Sequence, residues 1–304
     1  MENILEIHSL SKNYNHFKAL DSCSMTIQKG AIYGFIGKNG SGKTTLIRII
    51  CGLQNQSSGD IKLFNIDNKS KNFSESKKRI SAIVETPAIY LEMSAHDNIK
   101  YQYYLQGIPT MDGIDELLRM VGLENCGKKK AKFFSLGMKQ RLGIAISLVN
   151  NPDFIILDEP TNGLDPQGII EVRELILKLN RELNITFLIS SHLLDELSRI
   201  ATHYGFIDRG HIIKEISSTD LFNEYGKFII INVSDTTVLS CVLEKLNCEY
   251  KIIDHQIAHI YTKVKISLLA KELEKLGCEI VSVHEIEETL ESYYINLVGG
   301  NIHA

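Results

Sequence analysis

Runs of apolar residues alternate with segments of helical periodicity along the first two thirds of the chain. The apolar runs are residues 31–36, 80–84, 154–157 and 185–189. Short, nearly continuous apolar runs are typical of strands buried on both faces of a parallel sheet. Amphipathic helices are predicted between and after them, at 94–105, 114–122, 135–150 and 165–183. This alternation predicts an α/β fold built on a parallel sheet.

Two parts of the chain depart from the alternation. Residues from about 88 to 150 carry successive helical patterns without a strand between them, which predicts an inserted helical subdomain. Beyond about Lys227, shorter strand and helix patterns follow one another, as is typical of a small α+β domain. We therefore expect a large α/β domain at 1–222, which includes the helical subdomain, and a small accessory α+β domain at 227–304.

The strongest chemical signal follows the first apolar run, at 37–45. A glycine-rich turn there stands between a predicted strand and a predicted helix, which is the context of a phosphate-binding P-loop. Backbone N–H groups of such a loop converge on phosphate oxygens, and the helix start behind them carries partial positive charge. The predicted nucleotide-binding residues of the loop are Gly37, Asn39, Gly40, Ser41, Gly42, Lys43, Thr44 and Thr45.

Side chains near the loop have separate predicted roles. Lys43 is expected to reach the β- and γ-phosphates of a nucleoside triphosphate, and the Thr44 hydroxyl is expected to bind Mg²⁺. Tyr14, upstream of the loop, offers an aromatic face that can stack on adenine. The spacing of Tyr14 fits a packing role equally well.

A pair of carboxylates marks a second candidate position. Asp158 and Glu159 directly follow the apolar run at 154–157, and ligands of open α/β sheets bind at the carboxyl ends of strands. Asp158 is expected to hold Mg²⁺, directly or through water, and Glu159 to polarise an attacking water. Together with the P-loop, this pair favours a nucleoside triphosphate hydrolase over a simple helix cap.

Composition narrows the function further. The chain has 304 residues and a formal net charge of −4, which argues against a surface for duplex nucleic acid. No apolar stretch is long enough to span a bilayer, and the acidic start lacks the pattern of a signal peptide. Six cysteines without a CxxC pair fit a reducing compartment. We therefore expect a cytoplasmic protein with no nucleic-acid partner.

The ordered motifs resemble those of the ATP-binding subunits of ABC transporters, over residues 1 to about 220. Besides the loop and the two carboxylates, the resemblance rests on Ser-Leu-Gly-Met-Lys-Gln-Arg at 135–141 and on Ser-Ser-His at 190–192. It implies an ABC-type P-loop NTPase that binds ATP and Mg²⁺ and hydrolyses ATP. In this family, aromatic residues at the position of Tyr14 stack on adenine.

The resemblance assigns roles to further residues. Ser135 and Gly137 belong to the signature sequence, and Asp165 lies in the loop that crosses between subunits. His192 corresponds to the switch histidine that senses or holds the γ-phosphate, which makes it a catalytic candidate. Glu85 occupies the position of a glutamine that touches Mg²⁺ and the membrane-subunit interface. A glutamate there adds negative charge near the triphosphate, which is expected to alter affinity or rate.

The resemblance also implies partners. ATP would be sandwiched in a head-to-tail dimer, between the phosphate loop of one copy and the signature helix of the other. Separate transmembrane permease subunits would hold the dimer at the inner face of the cell membrane.

One branch of the family matches most specifically. The signature segment, together with Val-Glu-Thr-Pro at 84–87, is similar to the branch that handles bacitracin resistance and lantibiotic immunity. The expected function is an ATPase subunit that powers an exporter of peptide antibiotics. Two alternatives stay open: an exporter of another hydrophobic or peptide substrate, and a module in which ATP acts as a switch without transport.

Overall fold

The computed structural model describes most of the chain and divides it into two compact units. The described residues are 2–224, 227–262, 264–287 and 289–299. The units are Met1–Ser218 and Thr219–Ala304. Residues 300–304 of the expected accessory domain lie outside the described residues.

The first unit is built on two β-sheets. Its strands in chain order are β1 (Asn3–Tyr14), β2 (Phe17–Gln28), β3 (Ile32–Ile36), β4 (Ser58–Leu63), β5 (Ile66–Asp67), β6 (Ile80–Ile83), β7 (Phe154–Asp158), β8 (Thr186–Ser191), β9 (His203–Asp208) and β10 (His211–Ser217). One sheet has the strand order β2-β1-β4-β5, and the other has the order β10-β9-β3-β8-β7-β6.

This unit contains the four predicted helices, in the predicted order, and further helices besides them. They are α1 (Lys43–Ile50), α2 (Phe73–Lys77), α3 (Ala95–Gln106), α4 (Ile114–Met120), α5 (Leu136–Leu148), α6 (Pro166–Leu183) and α7 (Leu194–Ser198), and α8 (Ser218–Glu224) begins at the last residue of the unit. Between β6 and β7 the chain forms α3, α4 and α5 with two short 3₁₀ turns, so the expected mostly helical segment is confirmed. Ser94 caps α3 and accepts a hydrogen bond from the N–H of Asp97, as its sequence context predicts.

The six-stranded sheet sets the position of the candidate site. β3, β6, β7, β8 and β9 run parallel, and β10 pairs antiparallel with β9. The four apolar runs are confirmed as the strands β3, β6, β7 and β8, and β3, β7 and β8 are buried along their whole length. The carboxyl ends of these strands meet at one edge of the sheet, where a ligand of an open α/β sheet binds.

Packing fixes α1 against both sheets. Its apolar face joins one hydrophobic cluster with residues of β1, β3 and β7. The cluster includes Leu46, Ile47, Ile49 and Ile50 from α1, Leu5 and Ile7 from β1, Tyr33 and Phe35 from β3, and Phe154 and Ile156 from β7. Each fully buried large apolar side chain contributes about 1.5–3 kcal/mol relative to an exposed one. The start of α1, and the loop before it, are therefore held in place by the core.

Two strands are longer than the apolar pattern predicts. The pattern indicates strands at 4–8 and 22–27, but β1 continues to Tyr14 and β2 begins at Phe17. The register between them shifts several times, and Ser9 and Ser22 have positive φ angles. An extra residue at a β-bulge reverses the inward and outward alternation, so the pattern breaks where the strand continues.

The second unit has an α+β fold, as the sequence predicts. Its elements are β11 (Lys227–Val233), α9 (Thr236–Lys245), β12 (Tyr250–Ile252), β13 (Ile257–Ile260), α10 (Ile266–Lys275), β14 (Ile280–Glu287) and α11 (Leu290–Gly299). The antiparallel sheet has the order β12-β13-β11-β14. One hydrophobic cluster joins it to α9 and α10 through side chains that include Ile229, Ile231, Leu239, Leu243, Ile260, Leu269 and Leu273.

Candidate functional site

The predicted phosphate loop joins β3 to α1. At its first residue, Gly37, a Cβ would lie 2.5 Å from the carbonyl oxygen of Ile207. At its last residue before the helix, Gly42, φ is +112° and a Cβ would lie 2.8 Å from the side chain of Leu20. Only glycine tolerates such contacts and such a φ angle. The backbone path of the loop therefore requires glycine at both positions, and the loop tip with Asn39 and Gly40 is exposed.

The amino end of α1 is suited to an anion. Gly42 is its N-cap and supplies no side-chain hydrogen bond, and the first turn carries no acidic residue. The first N–H groups of a helix have no intrahelical partner and carry partial positive charge. Next to them, the Ser41 hydroxyl is buried without a hydrogen-bond partner. A phosphate group would satisfy both the helix N–H groups and this hydroxyl.

Lys43 places a buried cation beside the loop. Its side chain is 5% exposed, and Nζ donates hydrogen bonds to the carbonyl oxygens of Gly37 at 2.6 Å and of Lys38 at 3.3 Å. Burial lowers the pKa of Lys43, while the carboxylates of Glu159 and Asp158 oppose that shift. A buried ammonium bound mainly by neutral carbonyl groups is well placed to bind a phosphate anion.

Asp158 ties the phosphate-loop helix to the sheet. It ends β7 and is 2% exposed. One carboxylate oxygen accepts a hydrogen bond from the Ser190 hydroxyl at 2.5 Å, and the other accepts one from the Thr44 hydroxyl at 3.0 Å. Because Ser190 belongs to β8 and Thr44 to α1, three elements meet at one carboxylate. The structure thus brings together Thr44 and Asp158, two of the three predicted metal ligands.

Glu159 lies between Lys43 and His192. One carboxylate oxygen is 3.7 Å from Nζ of Lys43, and the other is hydrogen-bonded to Nδ1 of His192. Its N–H donates to the Ser190 hydroxyl at 3.0 Å, and its φ angle is +53°. A positive φ is costly for a glutamate and is characteristic of strained functional positions. The structure joins the three predicted catalytic residues in one chain of contacts.

Three other predicted residues form a separate cluster at the amino ends of α5 and α6. Ser135 is the N-cap of α5, and Asp165 is the N-cap of α6, where it accepts a hydrogen bond from the Gly168 N–H at 3.2 Å. Gly137 packs against α6, since a Cβ there would lie 3.5 Å from the Cα of Gly168. The Ser135 hydroxyl accepts a hydrogen bond from the Met138 N–H, so the side chains of Ser135 and Asp165 each cap their own helix.

Tyr14 is linked to the phosphate loop through one intermediate residue. Its hydroxyl donates to Oε1 of Gln54 at 2.6 Å, and Nε2 of Gln54 donates to the carbonyl oxygen of Thr45 at 3.1 Å. The ring of Tyr14 is 42% exposed, and Nζ of Lys12 lies 5.1 Å from its centroid. An exposed ring held in this way leaves a face for stacking on a base.

Glu85 is the predicted metal ligand whose hydrogen-bond partner differs from those of the other two. Its carboxylate accepts a hydrogen bond from Nη2 of Arg48 at 2.6 Å. Both oxygens of Asp158 are bound by Ser190 and Thr44, and neither hydrogen bond involves Glu85. A metal role for Glu85 therefore stays a prediction.

Two residues of the site are missing from the sequence-based predictions. Ser190 binds both the carboxylate of Asp158 and the N–H of Glu159, and Gln54 connects Tyr14 to Thr45. The signal for Ser190 is its position at the end of a buried run, beside the predicted switch histidine. The register of β7 and β8, which are distant in the sequence, pairs Ser190 with Asp158 and so decides the hydrogen-bond partner of Ser190. Gln54 lies in a polar segment without any comparable signal.

The fold and the site together define a P-loop NTPase. The glycine loop follows one parallel strand, and the buried aspartate ends another strand of the same sheet. The family model described as "ABC transporter" matches residues 20–162, and a model described as "AAA domain, putative AbiEii toxin, Type IV TA system" matches residues 127–198.

Comparison with individual proteins narrows the family. A bacitracin transport ATP-binding protein of Bacillus licheniformis is 39% identical over 303 residues, which cover 99% of both chains. A lantibiotic transport ATP-binding protein of Streptococcus pyogenes is 45% identical over 217 residues, 70% of this chain and 90% of that protein. A solved dimeric structure of MJ0796, a bacterial ABC transporter cassette, superposes with a TM-score of 0.63 and 25% identity over 70% of this chain and 98% of the other.

The chain belongs to the family of ABC transporter ATP-binding proteins. This confirms the predicted family and the predicted ABC-type fold. Within the part of the chain that the structure describes, no helix combines the length and the apolar character that crossing a membrane requires.

The role of Ser190 predicts a specific loss of stability. Ser190→Ala is expected to lower the free energy of unfolding by about 1.5–3 kcal/mol, because a buried carboxylate loses a charge-assisted hydrogen bond. Ser147→Ala is the matched control, since the buried Ser147 hydroxyl donates only to the Ile144 carbonyl of its own helix, and its loss is expected to be about 1 kcal/mol or less. Denaturant unfolding measures both values. Equal losses would contradict the special contribution of Ser190.

Proposed function

We propose that this chain is the ATP-hydrolysing subunit of an exporter of peptide antibiotics of the bacitracin or lantibiotic type. The observation that carries the ATPase assignment is the contact of Glu159 with both Lys43 and His192, beside an anion-binding loop. The observation that carries the substrate class is the similarity to a bacitracin transport ATP-binding protein over 99% of both chains.

The residues of the site fit a nucleoside triphosphate. The unpartnered Ser41 hydroxyl, the start of α1 and the Lys43 ammonium would bind its phosphates. The exposed ring of Tyr14 would stack on adenine, so ATP is the proposed nucleotide.

The oxygens of the site also fit Mg²⁺. The Thr44 hydroxyl and the Asp158 carboxylate lie together and are hard oxygen ligands of the kind this ion prefers, with Glu85 as a further proposed ligand. Bound Mg²⁺ supplies neutralisation of the phosphate charge. The Thr44–Asp158 hydrogen bond keeps both ligand groups at the same place before the ion binds.

Hydrolysis then follows from the positions of three side chains. The Glu159 carboxylate takes a proton from a water molecule, and the water oxygen bonds to the γ-phosphorus as the bond to the β–γ bridging oxygen breaks. The products are ADP and inorganic phosphate. His192 orients the Glu159 carboxylate and would also hold the γ-phosphate. Lys43 stabilises the negative charge on the phosphate oxygens.

A second copy of the chain would complete each site. Ser135 and Gly137 lie at the start of α5, which packs against the start of α6. In a head-to-tail dimer, as proposed, this helix start faces the γ-phosphate held by the loop of the other copy, and Asp165 lies in the connecting loop. The dimeric structure of the similar cassette supports this arrangement.

The proposal also includes a location and further partners. The dimer would bind separate transmembrane permease subunits at the cytoplasmic face of the cell membrane, and the similarity to transport ATP-binding proteins supports this proposal. The net charge of −4 supports the absence of a nucleic-acid partner. We assign the ATP-binding domain to 1–222, with a helical subdomain at about 88–150, and the accessory domain to 227–304.

Glu159→Gln tests the ATPase assignment. The amide keeps the shape of the side chain but cannot take a proton, so nucleotide binding is expected to persist while ATP turnover falls at least about a hundredfold. Glu174→Gln, which changes an exposed carboxylate on α6, is the matched control and is expected to leave turnover unchanged. Phosphate release by the purified protein measures both variants. Wild-type turnover in Glu159→Gln would overturn the role of Glu159.

The same variant tests the substrate class in cells that carry the chain and its permease subunits. Loss of hydrolysis is expected to raise sensitivity to bacitracin or a lantibiotic, while sensitivity to an aminoglycoside stays unchanged. Minimum inhibitory concentrations provide the measurement. An unchanged response to both peptide antibiotics, in cells whose purified Glu159→Gln protein has lost turnover, would favour another substrate or a switch function.

A further inference from the structure

The Arg48–Glu85 ion pair is a contact of the site region that hydrolysis does not use. Nη2 of Arg48 lies 2.6 Å from Oε1 of Glu85, and the two side chains are 44% and 62% exposed. An exposed ion pair of this kind is weak and is easily exchanged for another partner. The Glu85 carboxylate is therefore held in one position without being locked there.

Arg48 stands on the same face of α1 as Thr44. The two residues are four positions apart on the helix, so their side chains are neighbours on its surface. Helical side chains also lean toward the amino end of their helix, which here is the end that carries the phosphate loop. Thr44 and Arg48 thus lie one turn apart on the same face of α1. Thr44 contacts Asp158, and Arg48 contacts Glu85.

Glu85 and Glu159 lie just beyond the carboxyl ends of adjacent strands. Ile83 of β6 pairs with Leu157 of β7, so Glu85 and Glu159 each follow two residues after paired positions of adjacent parallel strands. Adjacent strands lie about 4.8 Å apart. Glu85 thus follows the carboxyl end of the strand next to the one that ends at Asp158.

The backbone at Glu85 is strained, and its conformation fixes the position of the Glu85 Cα and Cβ atoms. The N–H of Thr86 donates to the carbonyl oxygen of Val84 at 2.9 Å, which makes Glu85 the central residue of a γ-turn, and its φ angle is +64°. A γ-turn with a positive φ is rare and costly, and such strain is found at ligand clamps and switch regions. With the backbone fixed, the position of the carboxylate depends on its partner.

We propose that Arg48 is a positioning residue that holds the Glu85 carboxylate away from the Thr44–Asp158 pair and competes with Mg²⁺ for it. This inference rests on the proposed function, because it needs a magnesium–nucleotide site. Arg48 neutralises the charge that a glutamate places near a triphosphate, so the pair repels the nucleotide less than a lone carboxylate would. When Mg²⁺ and ATP bind, Glu85 exchanges Arg48 for the ion.

The test measures nucleotide binding rather than turnover. A fluorescent, non-hydrolysable ATP analogue is titrated onto the full chain at increasing Mg²⁺, and the half-saturating Mg²⁺ concentration is determined. Arg48→Ala is expected to lower this concentration by about two- to fivefold, the range that loss of an exposed ion pair can produce. Arg48→Lys keeps the charge and is expected to stay close to the wild type.

A double-variant cycle shows whether Arg48 acts through Glu85. In the Glu85→Gln background, Arg48→Ala is expected to change the half-saturating Mg²⁺ concentration no more than Arg79→Ala does. Arg79 is the matched control, because it forms a similar exposed pair with Asp153 at 2.7 Å, at the opposite end of β7. An equal shift with and without Glu85, or no shift in Arg48→Ala, would overturn the proposal. A wild-type chain whose analogue binding ignores Mg²⁺ would instead overturn the proposed magnesium site itself.

Discussion

The buried carboxylate of Asp158 is the constraint on which the arrangement of the site depends. It is almost fully removed from water, and a buried carboxylate is stable only when its oxygens accept hydrogen bonds. Thr44 and Ser190 supply those bonds from α1 and β8. The same Ser190 hydroxyl accepts from the N–H of Glu159, so the phosphate loop, the proposed magnesium ligands and the proposed catalytic carboxylate share one set of contacts. Substitution of any one of these groups therefore removes a hydrogen bond from another group of the set.

This set of contacts is one part of the proposed ATP site, and the amino ends of α5 and α6 are the other part. Both parts are built by packed elements. Asp158 and His192 lie at the ends of buried parallel strands, and Ser135 and Gly137 lie at the start of α5, which packs against α6. The helix starts carry partial positive charge, which favours the binding of an anion. In the proposed function, two copies exchange these parts, and ATP is what holds the two copies together.

Much of the site was predictable because its chemistry is local in the sequence. The phosphate loop, the carboxylates after β7 and the histidine after β8 each combine a strand end with an unusual residue pattern. The contacts of Ser190, Gln54 and Arg48 were not predictable, because each joins segments far apart in the chain through strand register or helix packing. The extension of β1 to Tyr14 escaped prediction for another reason: bulges interrupt the alternation that signals a strand.

The central claim is that each ATP site needs residues from two copies, and a mixing experiment tests it most directly. Lys43→Ala removes the loop cation, and Gly137→Asp places a side chain and a negative charge at the start of α5. Each purified variant should be folded, by its thermal unfolding, and inactive alone. The account predicts that mixing them restores ATP turnover, because a hybrid dimer contains one site with an intact loop and an intact signature. If the mixed variants form hybrid dimers but show no more ATP turnover than the separate variants, the claim of a site shared between two copies is contradicted.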